Sequence, residues 1–353
     1  MLLSAPYPNH SCIEAWSDAA DRGGLRLAMV AGTGPGAAWR LESLPGCSRL
    51  ANLREAWRLA DRLPGPARFD WVVLREFLTL PFIVGSVPRL RRAKRRLLLV
   101  LNQNVERAAA SAWHRIGLAM LFRSGFRFMV PETLEPLRRL GIRYRPEQVR
   151  EIPFGLPRGC PGPTPPRSEG PAIVGVFGRP ASWKNQLTLL EALHALRAGS
   201  ARGFELTVGS TDDRVAAWAK ERGVPIAETE TRESYFRALA SCDVVVHGAV
   251  RAACEYRPSA SLHDALASGR SVVALAGAAT RAQTSVPART GVTIGSLDEL
   301  EGAIAAACEI TRRAPGRFLE YVRHRGPENL ARLLAAALGA AGRAEGPARE
   351  ADS

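Results

Sequence analysis

Residues 242–275 read CDVVVHGAVRAACEYRPSASLHDALASGRSVVAL. Two apolar runs in this stretch have the length of buried strands, and the segment 259–268 between them has the length of a short helix. Ser259 is a good helix start, and Gly269 is a good helix stop because glycine adopts the left-handed conformation without steric cost. The stretch therefore predicts strand, polar loop, helix and strand, the repeating unit of a parallel α/β sheet.

The start of this predicted helix is a candidate anion site. The backbone amides of Ser259, Ala260 and Ser261 would point out of the helix at the end of a parallel strand, where phosphate groups commonly bind. Glu255 precedes the turn and Asp264 lies one turn inside the helix. These two carboxylates would flank a bound phosphate and accept hydrogen bonds from sugar or ribose hydroxyls. The alternative is that an acid before a helix serves only as a cap.

A second group of candidate residues follows another apolar strand, in the sequence VGVFGRPASWK at 174–184. Gly178 lets a ligand approach the backbone, and Arg179 and Lys184 supply a forked donor and a point charge for a diphosphate. The alternative is that both are solvated basic residues in an arginine-rich chain.

Both groups resemble motifs of the retaining glycosyltransferases of group 1, family 4. That family carries an acid, seven other residues and a Glu, followed by an alanine-rich helix, a glycine and an apolar strand. The sequence DALASG from Asp264 onward is similar to the second half of this motif. The first half departs from it, because eight residues separate Glu255 from Asp264 and the second acid is Asp. The family also places a Gly-Arg pair and a Lys at the spacing of Gly178, Arg179 and Lys184.

The resemblance implies an α/β protein of the GT-B fold, with two Rossmann-like doubly wound parallel-sheet domains facing across a cleft. It also implies transfer of a sugar from a nucleoside-diphosphate sugar to an acceptor hydroxyl with retention of anomeric configuration. No cofactor is implied, since the nucleotide sugar is a substrate and no metal is required. The alternative is a catalytically inactive GT-B homologue that acts as a partner or scaffold protein.

The resemblance further implies roles for individual residues. The expected catalytic residues are Glu255, Arg179 and Lys184. The expected donor-binding residues are Gly178, Arg179, Lys184, Gly209, Ser259, Ala260, Ser261 and Asp264. The expected acceptor-side residues are His10, Asn102 and Asn104, of which the two asparagines stand where the family commonly has a His-containing loop.

The domain organisation is predicted from length and from one composition shift. A chain of 353 residues suits two domains, and five prolines mark a linker at 157–170. We therefore expect an acceptor-side domain at 1–156 and a nucleotide-sugar-binding domain at 171–326. A helix at about 327–341 is expected to pack back on the first domain, and residues 343–353 are expected to be disordered.

Composition restricts the remaining possibilities. The six cysteines form no CxxC pair, and Asp212-Asp213 is more typical of a helix start than of a metal site, so no metal site is predicted. The N-terminus has no signal-peptide pattern, and we expect a cytoplasmic protein. The net charge of +14 favours anionic partners. The basic residues are not interleaved with aromatic residues, so a nucleic-acid partner is not expected.

The segment RLRRAKRR, which begins at Arg89 and ends at Arg96, follows an apolar run at 77–87. One interpretation is the solvated end of a buried helix, where positive charge offsets the helix dipole. The other is a peripheral contact with an anionic membrane at its inner face, which would bring the protein to a lipid-linked acceptor.

Overall fold

The structure is a computed structural model of the chain. The chain divides into two compact units, one formed by Met1–Gly155 with Gly326–Ser353 and the other by Leu156–Arg325. The structure describes residues 10–24, 27–30, 71–75, 79–88, 90, 97–101, 103–156, 159–167, 170–178, 184–199, 203–210 and 212–338.

The first unit contains a five-stranded parallel sheet whose strands lie side by side in chain order. Short apolar runs such as LLLV, buried along their whole length, form its strands because both faces of a parallel sheet are covered. Its elements are α1 His10–Arg22, β1 Leu27–Val30, β2 Trp71–Arg75, β3 Leu97–Val100, α2 Gln103–Ala110, α3 Ala112–Arg123, β4 Arg127–Pro131, α4 Glu135–Arg139 and β5 Val149–Ile152, with a short helical segment at Thr79–Pro81 and a π-helix at Phe82–Ser86.

The second unit contains another five-stranded parallel sheet, but its strand order reverses. The first strand of the unit lies inside the sheet, so the chain builds outward on one side and then on the other, as in a doubly wound fold. Its elements are β6 Ala172–Phe177, α5 Gln186–Gly199, β7 Phe204–Gly209, α6 Asp213–Glu221, α7 Arg232–Ala240, β8 Val244–His247, α8 Arg251–Tyr256, α9 Ala260–Ala267, β9 Ser271–Leu275, α10 Ala278–Ser285, β10 Gly291–Ile294, α11 Leu300–Arg313 and α12 Pro315–Arg325, and the spatial order of its strands is β10, β9, β8, β6, β7.

The last described helix, α13 (Pro327–Leu338), belongs to the first unit. Its apolar residues Leu330 and Leu334 share a buried cluster with Trp16 and Ala19 of α1 and with Ile152 of β5. The amphipathic spacing of these leucines predicts one buried face, and α1 supplies the surface that covers it.

Part of the proline-rich segment is bonded to the second unit through Arg270. This arginine is 1% exposed. Its guanidinium donates to the Thr164 hydroxyl at 2.7 Å, to the Thr164 carbonyl at 2.9 Å and to the Ala240 carbonyl at 2.7 Å. The Thr164 amide in turn donates to the Ser268 carbonyl at 3.2 Å. A buried charge is tolerated here because several carbonyl oxygens replace its water, and the segment 159–167 therefore forms part of this unit.

One helix of the second unit was not predicted. The sequence after β8 was interpreted as a polar loop, but the structure has the six-residue α8 there. Its residues Ala253 and Cys254 are buried. A side chain at Gly277 would lie 2.3 Å from the Cys254 carbonyl carbon, so the loop before α10 packs directly on α8. This helix depends on a tertiary contact and has no cap of its own.

Several predictions concern residues outside the described ranges. They include Arg179, Asn102, the tail at 343–353 and all of RLRRAKRR except Leu90. Within the described ranges, no helix combines the length and the apolar character needed to cross a membrane.

Candidate functional site

The residues predicted to bind an anion lie at the carboxyl edge of the second sheet. β6 leads into Gly178, β8 ends at His247, and these two strands are paired in parallel, so the chain leaves both at the same edge. α9 starts after Ser259, which follows β8 by way of α8. We call the following group of residues the edge cluster: Gly178, Lys184, His247, Ser259, Ser261 and Asp264.

The N-terminus of α9 is formed as predicted. Ser259 is its N-cap, and the hydroxyl accepts a hydrogen bond from the Leu262 amide at 3.4 Å. The Gln283 side chain holds the Ser259 backbone from both sides, accepting from its amide at 2.8 Å and donating to its carbonyl at 3.1 Å. Ala260 and Ser261 occupy the first turn, whose amides have no acceptor inside a helix. A clamped turn of this kind presents amide donors to an anion without having to reorganise.

Lys184 and Gly178 form the cationic side of the edge cluster. Gly178 has φ of +139°, a conformation that L side chains rarely adopt. A Cβ built on Gly178 would lie 2.5 Å from the Lys184 ammonium nitrogen, so the glycine leaves the space that this ammonium occupies. Lys184 is itself buried, at 9% exposed. A buried ammonium at the edge of a sheet provides a strong positive field for a phosphate.

Asp264 lies in the same cationic surroundings. Burial raises the pKa of its carboxyl to about 7, while the Arg232 charge, a hydrogen bond from Tyr235 and the Lys184 charge act to lower it. The pKa of Tyr235 is raised well above its ordinary value by burial and by the Asp264 carboxylate. Asp264 is therefore positioned by the Tyr235 hydroxyl, and a carboxylate can accept more than one hydrogen bond, which suits hydroxyl groups of a ligand.

His247 joins the edge cluster from the end of β8. Its Nδ1 lies 3.5 Å from the Ser261 hydroxyl, which lies 3.1 Å from the Ser259 hydroxyl. Burial, together with the nearby Lys184 charge, lowers the pKa of His247 to about 3. The imidazole is consequently neutral at physiological pH and links the strand end to the first turn of α9.

Gly209 contributes through packing. A Cβ on Gly209 would lie 2.3 Å from the Phe177 ring, and a Cβ on Gly175 would also lie 2.3 Å from that ring. The two glycines leave space for the Phe177 ring. This ring makes an edge contact with the Tyr235 ring, and the two ring centroids are 6.2 Å apart. Gly209 therefore supports the tyrosine that holds Asp264.

Comparisons with known proteins identify the fold. No protein-family model matches it, and no curated protein matches it in sequence. HepE of Anabaena, solved in complex with UDP-glucose, superposes with a TM-score of 0.65 at 16% identity, covering 95% of this chain and 97% of HepE. A glycosyltransferase from Rickettsia africae gives 0.63 at 13% identity, covering 95% of each chain. Sucrose-phosphate synthase from Thermosynechococcus elongatus gives 0.57 at 17% identity, covering 93% of this chain and 90% of the synthase.

The chain has the GT-B fold. This conclusion rests on the two five-stranded parallel sheets with their helices and on the structural match to HepE. At these identities the similarity establishes architecture, and residue roles have to be argued from the site itself.

Glu255, which the sequence resemblance predicts to be catalytic, is bonded to a different helix. It lies on α8, and its carboxylate accepts a hydrogen bond from the Ala278 amide at 3.0 Å. Ala278 is the first residue of α10, so Glu255 binds that helix terminus as an N-terminal carboxylate. Its catalytic role remains a prediction.

The predicted acceptor-side residues are distributed over the first unit. His10 is the first residue of α1, and Asn104 is in α2. The buried Asn104 amide donates to the Thr79 hydroxyl at 2.9 Å, which ties α2 to the segment after β2. That contact gives Asn104 a structural role in this unit.

Three residues of the site were missed by sequence analysis. His247 is the last residue of β8, and its place at the carboxyl edge would have indicated it. Tyr235 and Gln283 lie on α7 and α10, and no local pattern marks them, since their contacts depend on how those helices pack. No group of three or more His, Cys, Asp or Glu side chains suited to a metal ion occurs among the described residues.

Proposed function

We propose that this chain is a retaining glycosyltransferase that moves a sugar from a nucleoside-diphosphate sugar to an acceptor hydroxyl. The observation that carries the proposal is the edge cluster, in which the buried Lys184 ammonium, the clamped first turn of α9 and Asp264 meet at one sheet edge. A diphosphate fits the lysine and the helix amides, and ribose or sugar hydroxyls fit the carboxylate. The complex of HepE with UDP-glucose supports a UDP-sugar as the first donor to test.

In the proposed reaction, the bond between the anomeric carbon and the diphosphate oxygen breaks, and its electron pair leaves with the diphosphate. The growing negative charge is held by Lys184, by Arg179 and by the amides of Ser259, Ala260 and Ser261. The acceptor oxygen forms the new bond on the same face of the sugar, and its proton passes to the leaving phosphate. The positive charge comes from the protein, so no metal ion is required.

The proposed acceptor is a hydroxyl of a glycoconjugate or polysaccharide precursor, and lipid-linked precursors are included in this class. The basic segment from Arg89 to Arg96 would hold a cytoplasmic protein at the inner face of an anionic membrane. We propose no nucleic-acid partner.

Donor binding is tested by thermal shift with UDP-glucose and other nucleotide sugars. A ligand that binds only the folded state stabilises it by about 2.7 kcal/mol at a hundredfold excess over its Kd, so the true donor should raise Tm. We expect Lys184→Ala to remove this shift, because the diphosphate loses its buried cation. Lys220→Ala, at an exposed position of α6, is the matched control and should retain the shift. An unchanged shift in Lys184→Ala would contradict the assignment of the edge cluster.

Turnover separates the transferase from an inactive homologue. The hydrogen bond from the Ala278 amide to Glu255 favours the inactive homologue, because a catalytic Glu255 would have to leave that contact. Release of UDP from a bound donor, and an NMR assignment of the product anomer, decide between them. Donor binding without any release of UDP would indicate a scaffold protein, and a product of inverted configuration would overturn the retaining mechanism.

A further inference from the structure

Helix α3, Ala112–Arg123 in the first unit, exposes a stripe of large apolar side chains. Trp113 is 74% exposed, Ile116 is 53% exposed and Met120 is 50% exposed. Their spacing of three and four residues places them on one face of the helix. We call Trp113, Ile116 and Met120 the apolar stripe.

The opposite face of α3 is fixed in the core. Leu118, Leu121 and Phe122 are buried. A Cβ on Gly117 would lie 2.7 Å from a methyl group of Leu80, so the helix packs tightly against the segment after β2 at this glycine. The helix therefore cannot turn its apolar stripe inward without breaking this packing. Val84, in the π-helix of that same segment, is also 61% exposed.

The charged side chains of α3 are all basic, and the sequence near it in the chain is also basic. Arg115 and Arg123, on the same helix, are exposed, and the helix contains no acidic residue. Residues 77–131 contain ten basic residues and a single acid, Glu106. The basic residues are Arg89, Arg91, Arg92, Lys94, Arg95, Arg96, Arg107, Arg115, Arg123 and Arg127.

We propose that α3 is a membrane-contact helix that lies flat in the headgroup region of an anionic bilayer. An exposed Trp with aliphatic neighbours on one helix face, bordered by arginines, is the composition that inserts at this depth. The arginines pair with lipid phosphates, and the apolar stripe enters the boundary between headgroups and acyl chains. The absence of acids from α3 itself, together with its exposed arginines, fits an anionic lipid surface.

The proposed membrane contact combines electrostatic attraction with insertion of apolar side chains, and these two components respond differently to salt. Attraction between arginines and phosphates weakens as salt shortens the Debye length. Insertion of apolar side chains is insensitive to moderate salt. The proposed helix therefore predicts that some vesicle binding persists at high salt. It also predicts that this salt-resistant binding is lost when the apolar stripe is made polar.

The test is co-sedimentation with vesicles of phosphatidylglycerol and phosphatidylcholine at low and high salt. The variant carries Trp113→Ser, Ile116→Ser and Met120→Ser, and the matched control carries Ile226→Ser and Leu319→Ser, two exposed apolar positions of the second unit that are 49% and 54% exposed. We expect the partition coefficient of the stripe variant to fall by about tenfold or more, since three large apolar side chains no longer leave water. The control should bind like the wild type, and far-UV circular dichroism should show that both variants fold.

A second measurement does not require the triple variant. Lipids brominated near the headgroup should quench more tryptophan fluorescence in the wild type than in Trp113→Phe, because Trp113 is the inserted indole. Equal quenching, equal sedimentation of wild type and stripe variant, or no binding by the wild type would each overturn the proposal. One further result would overturn the proposal: the wild type dimerises without lipid, while the stripe variant is monomeric and binds vesicles as well as the wild type does. The apolar stripe would then contact a second copy of the chain. Donor binding in the thermal-shift test is independent of all these outcomes.

Discussion

Asp264 and His247 lie near the same buried lysine. Burial raises the pKa of Asp264 and lowers the pKa of His247, so their contributions to stability depend on pH in opposite directions. The carboxyl of Asp264 has a pKa of about 7 in the folded protein and an ordinary value of 3.8. Between those values the folded state holds a proton that the unfolded state has released. The contribution of Asp264 to the free energy of unfolding therefore falls as pH rises from about 4 to about 7.

We predict that Asp264→Asn raises the free energy of unfolding at pH 8 by up to a few kcal/mol, because the buried charge is no longer formed. The gain should vanish near pH 4, where the wild-type carboxyl is also neutral. Urea denaturation of both proteins across this range measures the difference. The same change should weaken donor binding, which would mark Asp264 as a residue retained for function at a cost in stability. A variant that is less stable than the wild type at pH 8 would contradict this account.

His247 provides the opposite case. Its pKa of about 3 lies below the ordinary 6.5, so only the unfolded state takes up a proton between these values. Stability contributed by His247 is present above about pH 6.5 and is lost as pH falls toward 3. His247→Gln should lose less stability on acidification than the wild type in the same urea series. Parallel curves for the two proteins would show that this imidazole does not titrate on unfolding.

At the scale of elements, the buried side chain of Arg270 makes most of the described hydrogen bonds to the proline-rich segment. Arg270 bonds Thr164 through both its hydroxyl and its carbonyl, and it also bonds the Ala240 carbonyl at the end of α7. A lysine can keep the charge but cannot reproduce these forked contacts.

We predict that Arg270→Lys lowers the free energy of unfolding by about 2 to 4 kcal/mol, because buried carbonyls lose their donors. Trypsin should then cleave more rapidly after Arg167 as the segment loosens. Arg237→Lys is the matched control, since Arg237 is exposed and forms a surface ion pair with Glu233 on its own helix. Unchanged proteolysis and melting in Arg270→Lys would show that the segment is held by its other contacts.

At the scale of the whole molecule, the proposed chemistry depends on charge supplied by the protein. The carboxylate pair that most resembles a metal motif in the sequence is Asp212-Asp213. It begins α6, where Asp212 caps the helix by accepting a hydrogen bond from the Arg214 amide at 3.0 Å. In the proposed function, the cation that binds the diphosphate is Lys184, together with the amides at the N-terminus of α9.

We predict that sugar transfer continues at full rate in excess EDTA. The assay follows UDP release from the donor that the thermal-shift screen identifies, with a metal-dependent transferase in the same buffer as the control for chelation. Loss of activity in EDTA that magnesium or manganese restores would show that a metal, and not Lys184 with the helix amides, holds the leaving group.

Much of the second unit follows from local sequence alone. The strands Ala172–Phe177 and Ser271–Leu275 coincide with apolar runs of the sequence. Helix α9 begins at the cap of Ser259 and ends before Gly269, whose φ is +82°. Such features are predictable because hydrophobic period, caps and glycine conformations act over a few neighbouring residues. The position of Lys184 at a strand edge was predictable in the same way.

Only the tertiary structure decided the side-chain partners at the candidate site. Gln283 clamps Ser259 from 24 positions along the chain, Tyr235 holds Asp264 from another helix, and Glu255 bonds Ala278. The sequence alone determined the alternating strands and helices and the start of α9. Side-chain partners across helices depend on strand order and helix packing, which bring together residues that no local pattern relates.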